Sequence, residues 1–348
     1  MKKYLLSASL ILSPTIMVQA EPMTVTTTGD ISLYGFYDAA GAFGLGFDGS
    51  LSVDGSQYLD DGAQLGVKIN LAIPNEMSAY LYYASSIGTA KVGSLELSEH
   101  GVEVPEFTDP TDIDFAKTSF SDVDKIAFGG LSIPTLTPAF TYATPVIAGL
   151  KLGFGSDMGK FDTAFSTAFA NDMAQIKLGV NYAATYAASD KGIISAGVTS
   201  GFTGFEVGSK FTYNLQSLTL GGDFGGQVNT GPVKIGIQYQ VTDFNQLDRG
   251  IALAGVKFSQ GYISVGAGLK YDNSPALISA KTTANLGAKY TLGAFSMGSW
   301  AEYKLDTSTF AINSGMDYKA TENITVGAGV SYDHAAAVSG AAGVKLKF

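Results

Sequence analysis

The chain has no cysteine, one arginine (Arg249), one tryptophan (Trp300) and two histidines (His100 and His334) in 348 residues. Without cysteine there is no disulfide framework, so hydrogen bonding and packing over a large structure must hold the fold. Two histidines leave little material for imidazole catalysis. Charged residues are scarce as well, at 15%. Beyond the N-terminal stretch no uninterrupted apolar run approaches the roughly 20 residues that a membrane helix requires. A chain of this kind that enters a membrane does so with strands. What it has in quantity is glycine, with 43 residues, and one-sided aromatics, with 18 Tyr and 21 Phe.

The first 20 residues, MKKYLLSASLILSPTIMVQA, combine the basic Lys2 and Lys3, an apolar run broken by Pro14 and the small-residue site Val18-Gln19-Ala20. This is the pattern of a secretory signal peptide, too short for a spanning helix. The expected mature chain is one domain, residues 21–348. Removing Lys2 and Lys3 leaves 21 − 2 = 19 basic against 31 acidic residues, a net charge of −12, which argues against a nucleic-acid partner.

The hydrophobic period is two. Ile235, Ile237, Tyr239 and Val241 share one phase, and Lys234, Gly236, Gln238 and Gln240 share the other. The same division separates Val265/Ala267/Leu269/Tyr271 from Ser264/Gly266/Gly268/Lys270, Leu286/Ala288/Tyr290 from Gly287/Lys289, and Ile324/Val326/Ala328/Val330/Tyr332 from Thr325/Gly327/Gly329/Ser331/Asp333. That is strand spacing, not helix spacing. Tyrosine repeatedly closes the apolar phase just before a turn, as at Tyr271 before Asp272-Asn273-Ser274-Pro275. A soluble sandwich can place one tyrosine there. A membrane barrel has a reason to repeat it, because the ring sits at the apolar boundary and its hydroxyl reaches the headgroups.

The closing residues AAGVKLKF alternate Ala342, Val344 and Leu346 with Lys345 and Lys347 and stop at Phe348. With Gly343 earlier, this end resembles the C-terminal assembly signal of Gram-negative outer-membrane barrels, although Ala341 stands where a polar residue is usual. ISLYGFYDAAGAFG (31–44) resembles the opening strand of the general diffusion porins and AQLGVKINL (63–71) their second. YATPVIAGLKLGF (142–154) is similar to the strand after the constriction loop, and MDYKATENITVGAGVSYD (316–333) to the last periplasmic hairpin. The resemblance implies an all-β transmembrane antiparallel barrel of about 16 strands, outer-membrane lipid around it, the barrel-insertion machinery as an assembly partner, a homotrimer and no cofactor. Counting alternating windows gives roughly 18 to 20 strands, within the known range for bacterial barrels. The lower number requires parts of 132–144 and 161–171 to be loop.

The least strand-like stretch is EHGVEVPEFTDPTDIDFAKTSFSDVD (99–124), with eight acids, one lysine (Lys117) and two prolines, Pro105 and Pro110. One reading is a solvated loop outside the barrel. The other is an inward-folded acidic constriction loop, because VPEFTD resembles the family's Pro-Glu-Phe segment. The resemblance then assigns the eyelet carboxylate to Glu106, with Glu103 and Asp109 as near matches and Asp112 and Asp114 beside them. On the facing wall the family carries a basic residue where this chain has Gln64, ahead of Lys68. Phe36 replaces another, and a single arginine cannot form an arginine ladder. Polar-phase lysines (Lys68, Lys151, Lys210, Lys234, Lys270, Lys289) either supply positive potential or simply point into water.

Enzymatic barrels share the alternation but need a histidine paired with a nucleophile. His100 and His334 sit in no such motif, and both read as surface residues. Metal clusters, phosphate loops and dinucleotide fingerprints are absent from the sequence, and the Gly-x-Gly pairs fall within strands. The expectation is a non-enzymatic, water-filled and cation-preferring channel for small hydrophilic solutes and ions. The alternative is a plugged barrel serving as adhesin or structural anchor.

Overall fold

The alternation is realised as strand from one end to the other. The computed structural model describes residues 22–348 except 39, 74–75, 107–108, 113, 119–137, 171–173, 188–189, 275–280 and 336. The expected signal peptide therefore lies outside the described residues. In chain order the strands are β1 (Thr24–Tyr37), β2 (Phe43–Tyr58), β3 (Gln64–Ile73), β4 (Glu76–Ser85), β5 (Gly88–Ser94), β6 (Pro138–Ala143), β7 (Leu150–Asp157), β8 (Lys160–Ala170), β9 (Ala174–Thr185) and β10 (Ile193–Phe202). The second half comprises β11 (Phe205–Asn214), β12 (Thr219–Thr230), β13 (Val233–Val241), β14 (Gly250–Gln260), β15 (Ile263–Asp272), β16 (Lys281–Leu292), β17 (Phe295–Lys304), β18 (Thr309–Lys319), β19 (Ile324–Asp333) and β20 (Val338–Lys347). Each pairs antiparallel with the next, and β20 pairs back onto β1, so the sheet closes on itself. A closed antiparallel sheet leaves no strand edge unpaired along its seam.

The barrel thus has 20 strands. This agrees with the upper end of the window count and corrects the 16 implied by the porin resemblance. The excess can be located. AQLGVKINL falls in β3, not in a second strand, because β2 intervenes. Residues 161–170 belong to β8 and residues 138–143 are β6, whereas 132–137 lie outside the described residues. The first strand also begins at Thr24, earlier than the Ile31 suggested by sequence.

The apolar phase faces outward: Ile237 and Leu286 are 64% and 60% exposed, while Gln238, one residue from Ile237, is 4% exposed. Tyrosines and phenylalanines gather at both ends of this outer face, with Tyr271, Tyr303 and Tyr332 near one rim and Phe205, Tyr262, Phe295 and Tyr318 near the other. Strands of about 10 residues tilted by about 40° make a wall roughly 25 Å tall, the height of a hydrocarbon band. Among the described residues no helix is long and apolar enough to cross a membrane.

The two rims differ. At the rim carrying both chain ends, several hairpins turn in two residues: Thr203-Gly204, Gly231-Pro232, Gly261-Tyr262 and Gly293-Ala294. Gly261 has φ +58°, the mirror-image turn backbone that suits the twist of a hairpin. At the opposite rim most of the connections are longer, and many are capped by side chains. Asp38, Asp157, Asp190, Asn214, Asp243, Asp272 and Asp333 each accept a backbone N–H there. The longest connection, between β5 and β6, also starts from this rim.

Width follows from strand number. Twenty strands about 4.8 Å apart at that tilt enclose a circumference near 125 Å, or a diameter of roughly 40 Å between opposite backbones. Side chains cannot fill such an interior, so what enters it decides what the barrel can do.

Candidate functional site

The β5–β6 connection turns inward at once. Leu95 and Leu97 are buried against Tyr80 and Ala139, with Tyr82 packed alongside, giving the segment an apolar root on the inner wall. From there it follows the wall circumferentially, resting on glycines of the polar phase. A single turn of 3-10 helix, Leu97–His100, ends in Gly101 with φ 65°. The Leu97 carbonyl lies 2.8 Å from where a Cβ on Gly155 would stand, and the His100 ring lies over Gly153. Farther along, Glu103 and Pro105 cover Gly179 of β9, and Val104 and Pro105 cover Gly197 of β10. Pro110 covers Gly236 of β13 and Gly255 of β14, Thr111 covers Gly268 of β15, and Ala116 covers Gly298 of β17.

Wall side chains pin the segment as it passes. Lys151 donates to the Gly101 carbonyl at 2.8 Å, Asn285 to the Thr111 carbonyl at 2.9 Å and Lys289 to the Lys117 carbonyl at 2.8 Å. Lys210 pairs with Glu106. Three of the six polar-phase lysines therefore hold the segment in place of pointing into water. Lys151 and Lys289 do so by satisfying carbonyls that have no strand partner. The readable signal was phase: these lysines share the strand face that carries the glycines.

His100 is buried, 5% exposed, which corrects the expectation of a surface histidine. Its Nδ1 accepts the Val102 N–H at 3.1 Å, leaving Nε2 3.5 Å from Asp162 Oδ1, which Asn181 also contacts. The ring is a structural pin at the start of the inward path. His334 is exposed in the β19–β20 turn.

The acids divide into two sets. Glu106 is paired with Lys210, and Asp114 with Lys117 at 2.5 Å. Glu103, Asp109 and Asp112 are exposed and have no basic partner among the described residues. Asp109 also caps the turn at Pro110, accepting from the Thr111 N–H and hydroxyl at 2.7 Å each, and Asp112 accepts the Asp114 N–H at 2.8 Å. Asp122 and Asp124 lie outside the described residues.

Gln64 and Lys68 are elsewhere. Both lie on the polar face of β3, outside the stretch of wall that the segment covers, and Gln64 donates to Ser56 at 2.9 Å. They are not brought into contact with the described acids. At the seam Gly343 lies opposite Tyr34, where a Cβ would meet the tyrosine's own Cβ at 2.7 Å. Leu346 faces outward, and Phe348 exchanges two 3.0 Å backbone bonds with Gly29.

No family model and no curated protein matches the chain. Among solved structures, a triple mutant of the Rh. blastica porin aligns at 13% identity and TM-score 0.44, covering 93% of this chain and 100% of that one. A second triple mutant, of Rhodopseudomonas blastica porin, aligns at 14% identity and TM-score 0.43 with the same coverages. Another variant of that porin aligns at 14% and 0.45, again covering 93% and 100%. At these scores the likeness adds nothing to the strand pairing, on which the barrel stands.

Proposed function

We propose that the protein is a non-enzymatic channel of the outer membrane that passes small hydrophilic solutes and ions and prefers cations. The observation that carries this reading is the inward segment. It lies along the polar face of a 20-stranded barrel and carries Glu103, Asp109 and Asp112 exposed and, among the described residues, without basic partners. Three wall cations, Lys151, Lys210 and Lys289, are turned onto the segment itself. In this reading the segment is the constriction, Glu103, Glu106, Asp109, Asp112 and Asp114 set its potential, and Lys68 and Gln64 lie across from them. Carboxylates on a narrow aqueous passage attract cations and repel anions.

The rim with short turns and both termini would face the periplasm, as in other outer-membrane barrels. Gly343, Leu346 and Phe348 would serve as the insertion signal. A homotrimer is part of the same reading; sedimentation in detergent at the mass of one chain would remove it.

Planar-bilayer recording tests the channel. Stepwise conductance, together with swelling of protein-loaded liposomes in small sugars, is the expected result, and insertion without conductance would overturn it. The second reading, a plugged adhesin or anchor, is favoured by Asn313 and Ser331. These polar-face residues of β18 and β19 are only 1% and 2% exposed, so that part of the wall is not lined by bulk water.

A further inference from the structure

The segment does not rest on the barrel wall as one layer usually rests on another. Two layers that meet through ordinary side chains stand about 10 Å apart. Here the stand-off is removed, because the wall presents glycine to the segment on β7, β9, β10, β13, β14, β15 and β17. At Gly197 an added Cβ would come within 2.5 Å of the Pro105 carbonyl oxygen, and at Gly179 within 2.8 Å of that of Glu103. At Gly255 it would overlap the Pro110 carbonyl and at Gly298 the Ala116 carbonyl. The atoms in the way are backbone, held by chain connectivity and by the Asn285 and Lys289 tethers, so they cannot swing aside as a side-chain tip would. Gly201 gives the contrast. It lies on the same face of β10 as Gly197, four residues on, and has nothing within 4 Å of its Cβ position.

We propose that this glycine row is a seat that holds the segment flat against the wall, and that its depth sets the free cross-section of the lumen. The seat itself follows from the contacts; its effect on calibre rests on the channel reading above. Side chains introduced into the row lift the segment toward the axis and narrow the passage, with no change in barrel strand number or in lumen charge. Lumen-facing side chains introduced elsewhere do not.

The absence of cysteine makes the test direct. Spin labels at Asp112→Cys, on the segment, and Ile237→Cys, on the outer face behind it, report the distance from segment to wall by pulsed electron resonance. In Gly255→Val and in Gly298→Val this distance should lengthen by several ångströms, and in Gly201→Val it should not. Heat-modifiable gel mobility verifies that each barrel is folded, and Gly255→Ala, with a smaller shift expected, replaces any valine variant that fails to fold. An unchanged distance in folded Gly255→Val, or equal lengthening in Gly201→Val, overturns the seat. Conductance of the same samples should fall on the order of twofold in the two seat variants only. Displacement of the segment in a protein whose wild type conducts nothing overturns the channel reading and leaves the seat standing.

Discussion

Neutralising Glu103, Asp109 and Asp112 together should abolish cation preference while leaving the segment in place. Between Gly101 and Thr118 the described acids are Glu103, Glu106, Asp109, Asp112 and Asp114, and two of them are paired, with Lys210 and Lys117, so the acids and their ion-pair partners together carry 2 − 5 = −3, while the tethering Lys151 and Lys289 are the same in wild type and variant. For an ion passing about 8 Å from each uncompensated carboxylate, Coulomb's law in water screened over a Debye length of about 8 Å gives roughly 0.2 kcal/mol per charge, or about 0.6 kcal/mol in all. Cations gain that energy and anions lose it, so permeability at physiological salt should favour cations about sevenfold. At molar salt the screening length shrinks to about 3 Å and the preference to about 1.4-fold. The variant Glu103→Gln/Asp109→Asn/Asp112→Asn keeps the side-chain oxygens that cap Thr111 and Asp114. Its reversal potential in a KCl gradient should therefore correspond to a ratio near one at both salts. A wild type that prefers anions, or a triple variant with unchanged low-salt selectivity, would refute the argument.

Lys289→Met removes a charged donor from the Lys117 carbonyl. A loss of about 1–2 kcal/mol for this half-buried bond predicts roughly tenfold faster proteolytic cleavage within the segment, with the barrel intact. Leu286→Arg places a charge at mid-strand on the outer face and should cost about 2–4 kcal/mol in refolding into lipid, whereas Ser264→Arg, facing inward, should cost far less. Asp190, in the β9–β10 turn, has its pKa lowered by backbone hydrogen bonds from Thr185 and Gly192. A lowered folded pKa contributes stability above the ordinary carboxylate pKa and loses it as pH falls through the folded value. Amide exchange at Thr185 and Gly192, corrected for intrinsic rates, should therefore accelerate below about pH 4 in the wild type and be pH-independent in Asp190→Asn. Deleting Phe348 removes both bonds to Gly29 at the seam, and assembly in cells should fall more than refolding in detergent; equal losses would count against a role as an insertion signal.

Strand spacing is a local property, and the sequence alone determined it. A residue's neighbours two positions away fix which face it shares, so the outward phase at Ile235/Ile237, the inward phase at Gly236/Gln238 and the turn-adjacent tyrosines could all be read from the chain. The departure of 99–118 from strand was also legible, because Pro105 and Pro110 cannot donate to a ladder. Three matters needed the tertiary structure. The number of strands depends on every pairing up to the one between β20 and β1, a contact between opposite chain ends that no window contains. The role of His100 depends on the distant Gly153 and Asp162, which turn a polar residue in an acidic stretch into a buried pin. The glycine row exists only once β7 to β17 stand side by side. In sequence each glycine is one small residue on a polar phase, and only the pairing of β7 through β17 aligns them into the path that the segment follows.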